Sequence, residues 1–100
     1  MFATIRRYKG TPGQTDETIR RVQAGLVPIL TRQRGFVSYH AIDAGHDVAV
    51  SVSIYTDRAA AEAGNQAAME WVKQNLAGQI AGGAELTLGE VRVSAVGAQA

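Results

Sequence analysis

The chain has 100 residues, 46% of them apolar and 19% charged, with no cysteine and a net charge of +1. Such a composition suits a single folded domain over residues 1–100 and excludes a disordered chain. The absence of cysteine excludes disulfides, thiolate ligands and a cysteine nucleophile. No apolar run approaches the ~20 residues of a membrane span, and MFATIRRYKG has no apolar run of signal-peptide length. No membrane contact and a cytoplasmic location are therefore expected. Charge is uneven: residues 1–34 hold seven bases and two acids, the rest three bases and seven acids. Those bases fall on a strand, two helix faces and a loop, without a run or interleaved aromatics, so no nucleic acid is expected as a partner.

Residues 2–8 read as a first strand, with Phe2, Thr4, Arg6 and Tyr8 on one face and Ala3, Ile5 and Arg7 on the other. KGTPGQT at 9–15 is a loop by its glycine and proline content. A helix follows from about Asp16 to Arg32, capped by Thr15 or Asp16, with an apolar stripe of Ile19, Val22, Leu26, Ile29 and Leu30. Pro28 should kink or tighten its last turns, because it lacks the N–H that would bond back to Ala24. Gly25, beside the stripe, would let the helix backbone approach a sheet.

The stretch from Gly35 to Asp57 reads as a hairpin of two strands, 36–42 and 48–55, joined by a three-residue turn at 43–45. That register puts Phe36, Ser38, His40 and Ile42 on one face with Val48, Val50, Val52 and Ile54. Val37, Tyr39, Ala41, Ala49, Ser51, Ser53 and Tyr55 then share the other. A two-residue turn would swap these partnerships, since a slip of one residue flips a strand's faces. In either register both faces are largely apolar or small, so both need covering: helices on one side, a second copy of the chain on the other.

Asp57 caps a second helix that runs to about Ala77, with Gly78 at its stop. Its inward stripe is Ala61, Asn65, Ala68, Val72 and Leu76, widened by Met69 and Trp71. Residues 78–84 form a Gly-rich loop, and 85–95 the last strand, with a bulge at Gly89-Glu90. The tail from Gly97 to Ala100 is expected to fray. The order β-α-β-β-α-β implies a ferredoxin-like α+β domain: an antiparallel sheet with strands one and three central and both helices on one face.

Chemistry-bearing residues are few. His40, mid-strand between apolar neighbours, has the chemistry of an acid or base near neutral pH; the alternative is a neutral core or interface residue. Tyr55, Tyr39, Ser51, Asn65 and Trp71 together could line an amphipathic pocket between sheet and helices, or simply pack at core edges. His40 and His46 with Asp43 and Asp47 could suggest a metal, but there is no third histidine and turns favour Asp and His for local hydrogen bonds, so no metal is expected. The glycines at 10–13 and 82–83 do not belong to a phosphate loop, and no nucleophile elbow occurs.

Gly35-Phe36-Val37 after the first helix, SVSIYTD at 51–57 running into the second, AAMEWVKQNL at 67–76 and LGEVRV at 88–93 resemble the antibiotic-biosynthesis-monooxygenase group of dimeric α+β barrel proteins over nearly the whole chain. The resemblance implies a homodimer joined through the open sheet face. It also implies a small aromatic or apolar ligand and, in an enzyme, a monooxygenase-type activity that needs no cofactor. Relatives that look like cofactor-free oxygenases of aromatic polyketides use a Trp near the end of the third strand and an Asn four residues before it, where this chain has Tyr55 and Ser51. Relatives that degrade haem use a histidine on the second helix, where this chain has none. Three readings follow: a small enzyme with Tyr55 and His40 as catalytic groups and Tyr39, Ser51, Asn65 and Trp71 binding the ligand; a non-catalytic binding or sensing dimer; or a structural dimerisation module.

Overall fold

The computed structural model describes residues 1–80 and 83–97. Strand β1 (Phe2–Lys9) leads into a helical segment in three parts: α1 (Thr15–Arg21), a π-helical turn (Val22–Leu26) and α2 (Val27–Thr31). Strands β2 (Phe36–Gly45) and β3 (Val48–Tyr55) form the hairpin, followed by α3 (Arg58–Asn75) and β4 (Glu85–Glu90). The sheet is antiparallel in the order β2-β3-β1-β4. This is the ferredoxin-like α+β arrangement, with β1 and β3 central.

The first helix departs from expectation at Pro28. Without an N–H for the Ala24 carbonyl, and with a ring that crowds it, Pro28 does not tighten the helix; the preceding turn widens instead. Val22, Leu26 and Leu30 still reach the core at four-residue intervals. Gly25 meets the second helix, not the sheet: a Cβ there would stand 2.7 Å from Trp71 Cζ2. The N-cap is Gln14, not Thr15 or Asp16, and makes no side-chain cap bond.

In the hairpin the turn lies at His46-Asp47, not at 43–45. Both residues have positive φ, 53° and 62°, as a two-residue type I′ turn requires. Such a turn alone would flip the strand faces, but a register shift between Asp43 and Gly45 restores them. His40 therefore pairs with Val52 and Tyr39 with Ser53, which keeps these residues on the faces expected of the three-residue loop. A second shift between Phe36 and Ser38 carries Phe36 to the opposite face, against expectation, where it pairs with Tyr55. The two rings meet edge to face at 5.9 Å and 76°.

Asp57 caps α3 as expected, accepting the Ala60 N–H at 2.8 Å. That bond, with Arg34 nearby, holds the Asp57 carboxyl below its usual value. The helix ends at Asn75, two residues short of expectation. Strand β4 pairs with β1 in continuous register, without the expected bulge, and stops at Glu90 because its partner begins at Phe2. Only the Val91 N–H continues the pairing, donating to the Met1 carbonyl at 2.8 Å. The centre of the expected loop at 78–84 and residues 98–100 lie outside the described residues.

Val22, Leu26, Leu30, Ala68 and Leu76 form one core cluster and Tyr55, Ala60 and Ala61 another, with Phe36 packed against both. Both lie on the helix-covered side of the sheet. No helix among the described residues is long and apolar enough to cross a membrane.

Candidate functional site

Alternation along β1 sends Thr4, Arg6 and Tyr8 beneath the helices. Thr4 and Arg6 are only 3% and 5% exposed. The antiparallel register extends this polarity sideways: Thr4 pairs with Ser53 and Arg6 with Ser51, while Tyr39 lies beyond Ser53 and Ala41 beyond Ser51. Ser51, Ser53 and Tyr55 are buried as well. The floor under the helices is thus a polar patch across three strands.

Above it, the Arg6 Nη2 donates to the Asn65 main-chain carbonyl at 2.9 Å and also to the Asn65 side-chain oxygen. Asn65 Nδ2 in turn faces Met69 Sδ at 3.5 Å, which fixes the amide orientation. The Arg6–Asn65 link divides two spaces. On the inner side is a narrow, partly open pocket of about 30 Å³, lined by Thr4, Arg6, Tyr39, Ser51, Tyr55 and Asn65 among others. On the outer side a cleft of about 580 Å³ opens between α3 and the β1–β4 part of the sheet, with Met69, Val72, Lys73, Ile80 and Leu86 in its walls. Arg6, Tyr8 and Asn65 border both.

The electrostatics favour hydrogen-bond donation. Burial raises the phenols of Tyr8 and Tyr55, only partly offset by the positive charge of Arg6. Tyr39 is pushed up to about 12, chiefly by burial and then by Tyr8, against the pull of Ser51 and Arg6. All three phenols stay protonated at neutral pH. Among the described residues no carboxylate or histidine lines either space. The Thr4 hydroxyl is buried without a hydrogen-bond partner. Burying a polar group unpaired is unfavourable, so Thr4 and Arg6 point to a need other than packing.

Of the residues singled out from sequence, Tyr39, Ser51, Tyr55 and Asn65 come together around the inner pocket. Tyr55 is 1% exposed and lines that pocket alone; its ring and hydroxyl fill the space where a Cβ on Gly64 would go. His40 is not with them. It is exposed on the opposite face, and the sheet stands between it and the pocket, so it cannot serve as a base there. Trp71 lines neither space, its indole lying on Gly25. Asp43, His46 and Asp47 are engaged in the hairpin region: Asp43 accepts the Gly45 N–H, Asp47 the Gly13 N–H, and the His46 carbonyl accepts from Lys9 Nζ. Among the described residues no cluster of three candidate ligands is placed to hold a metal.

Arg6 and Tyr8 are the residues that sequence reading passed over. A signal was present: one face of β1 is Thr-Arg-Tyr while the other is Ala-Ile-Arg, and the apolar stripe of the second helix is broken by a single amide, Asn65.

A model of the family described as antibiotic biosynthesis monooxygenase matches residues 1–70. No match is found among curated proteins. Solved structures share the fold. NE2512, a protein of unknown function from Nitrosomonas europaea, is 18% identical with a TM-score of 0.78, over 98% of this chain and 95% of that one. A mutant of MhuD with two manganese protoporphyrin IX bound per active site is 21% identical, with a TM-score of 0.75 over 97% of this chain and 100% of that one. A mutant of SnoaB, a cofactor-independent oxygenase from Streptomyces nogalater, is 16% identical, with a TM-score of 0.73 over 93% and 94%. At these identities the likeness is one of fold.

Proposed function

The chain belongs to the antibiotic biosynthesis monooxygenase family, and from that premise we propose that it is a single-domain cytoplasmic homodimer that binds a small aromatic or otherwise apolar molecule without a cofactor. The observation that carries this reading is the outer cleft. Its volume of about 580 Å³ is in the range of small-molecule sites, and apolar side chains surround a few polar groups, Arg6, Tyr8 and Asn65. Tyr39, Ser51 and Tyr55 support that polar end from the inner pocket behind it. The dimer reading is supported by the open sheet face, where Ile5 and Ile42 are exposed beside half-buried Val50, Val52 and Ile54. It is supported again by the segment 91–97, whose Val93 and Val96 are 89% and 90% exposed beyond the end of β4.

A cofactor-independent oxygenase, as SnoaB is described, is the second reading. The guanidinium and the protonated phenols favour it, since such donors stabilise a delocalised oxyanion on a bound molecule. No group in the described lining is ready to act as a general base. Native mass spectrometry of the purified protein, followed by release and identification of small molecules, tests the binding reading. A bound apolar compound is expected, and Asn65→Ala should lose it. A chain that arrives empty and takes up no aromatic compound would contradict the reading.

A further inference from the structure

We propose that the molecule taken by the outer cleft is an apolar acid, its oxyanion seated on the Arg6 guanidinium and its apolar body lying along Met69, Val72, Ile80 and Leu86. The inference rests on the small-molecule reading above and names the substrate class of that site. A guanidinium keeps its charge at physiological pH and offers five N–H donors in a planar fork suited to an oxyanion. Arg6 is only 5% exposed, yet its bonds go only from Nη2 and only to the neutral Asn65. Among the described residues Nε and Nη1 donate to no protein acceptor, and no carboxylate borders the cleft to balance the charge.

Buried charges are ordinarily paired, and removing a counter-charge from a buried cation is strongly unfavourable. A guanidinium so placed at the boundary of an apolar cleft is matched by an anionic ligand. Lys73 in the same cleft adds a second positive charge, and the protonated Tyr8 hydroxyl another donor. The Thr4 hydroxyl, without a protein partner, lies two residues away on the same face of β1, behind Arg6 in the inner pocket. Because no base among the described residues borders the cleft, the ligand must arrive already ionised. Carboxylates and acidic phenols meet that condition and share the chemistry of an oxyanion on an apolar body.

Calorimetric titration of the full chain at neutral pH with three bicyclic probes tests the inference: 2-naphthoate, its neutral counterpart 2-naphthamide, and the acidic phenol 4-nitro-1-naphthol as its phenolate. An anionic probe is expected to bind on the order of 10- to 100-fold more tightly than the amide, as a charge-assisted bond implies. Tighter binding of the carboxylate identifies carboxylic acids as the source, and tighter binding of the phenolate identifies phenols. Arg6→Gln should abolish the preference by weakening the anions alone, while Arg6→Lys retains most of it; thermal unfolding of each variant reports whether it is folded. If Arg6→Gln does not fold, the wild-type ranking and Arg6→Lys decide. Equal binding of amide and anions, or a preference that survives in Arg6→Gln, overturns the acid inference and leaves the small-molecule reading standing. Failure of all three probes to bind overturns both.

Discussion

Under the helices the two central strands present Thr4, Arg6, Ser51, Ser53 and Tyr55; on the other side the same strands present Ile5, Val50, Val52 and Ile54. A sheet with one wet face normally turns its apolar residues to the core and its polar residues to water. Here the covered face is polar and the open face is apolar. Helix packing alone does not need a buried arginine and an unpartnered threonine hydroxyl, and solvent does not favour a row of β-branched side chains. On the reading proposed above, the difference is that each face is fitted to something beyond the single chain: a polar-ended ligand inside and a second subunit outside.

The covered face is the easier to break. Gly64→Ala drives a Cβ into the Tyr55 ring, which is closed in on the other side by Phe36. It should destabilise the fold by about 3 kcal/mol in urea unfolding, the upper range for overpacking. A loss of less than about 1 kcal/mol, the lower end of that range, would mean that the covered face is loosely packed. On the open face the effect should appear in assembly. Val52→Lys, between Ile5 and His40 at the centre of that face, should weaken the dimer at least on the order of 100-fold while leaving the circular dichroism of the chain unchanged.

A subtler contrast comes from Thr4→Val, which removes the unpartnered hydroxyl and keeps the side chain's shape. It should raise stability by about 1 kcal/mol in the same unfolding experiment, because a polar group buried without a partner is unfavourable. A loss of similar size would show that the hydroxyl is bonded after all. The smallest effect is a pH effect. The folded-state pKa of Tyr39 is raised to about 12, so its contribution to stability is complete below the unfolded value near 10 and is lost as pH rises through the folded one. Stability should therefore decline between about pH 10 and 12, and Tyr39→Phe should shallow that decline.

Much of the architecture was legible because it depends on local periodicity. Alternation in β1, the four-residue stripe Val22-Leu26-Leu30 and the Asp57 cap specify elements that pack in few ways. The failures have a common cause in single inserted or unbonded residues. Pro28 removes one hydrogen bond and yields a widened turn, the shift beside Phe36 moves that ring to the covered face, and the type I′ turn at His46-Asp47 displaces the hairpin tip. Tyr39, Ser51, Tyr55 and Asn65 could be gathered from sequence because strand faces and helix stripes say which residues point inward. The polar Thr-Arg-Tyr face of β1 hinted at Arg6 but did not establish its burial, because a strand arginine ordinarily reaches solvent. Its burial depends on α3 laying Asn65 over it, across 59 residues of sequence. His40 is a candidate base by its chemistry alone: the register that sets Tyr39, Ser51 and Tyr55 on one face sets it on the other, and the observed pairing keeps it there.

The most direct test of the two-faced sheet is sedimentation equilibrium of the wild-type chain beside Val52→Lys at micromolar concentration. A wild-type dimer that becomes a folded monomer in the variant is the predicted result. A wild-type monomer, or a dimer indifferent to a lysine at the centre of the open face, would contradict it.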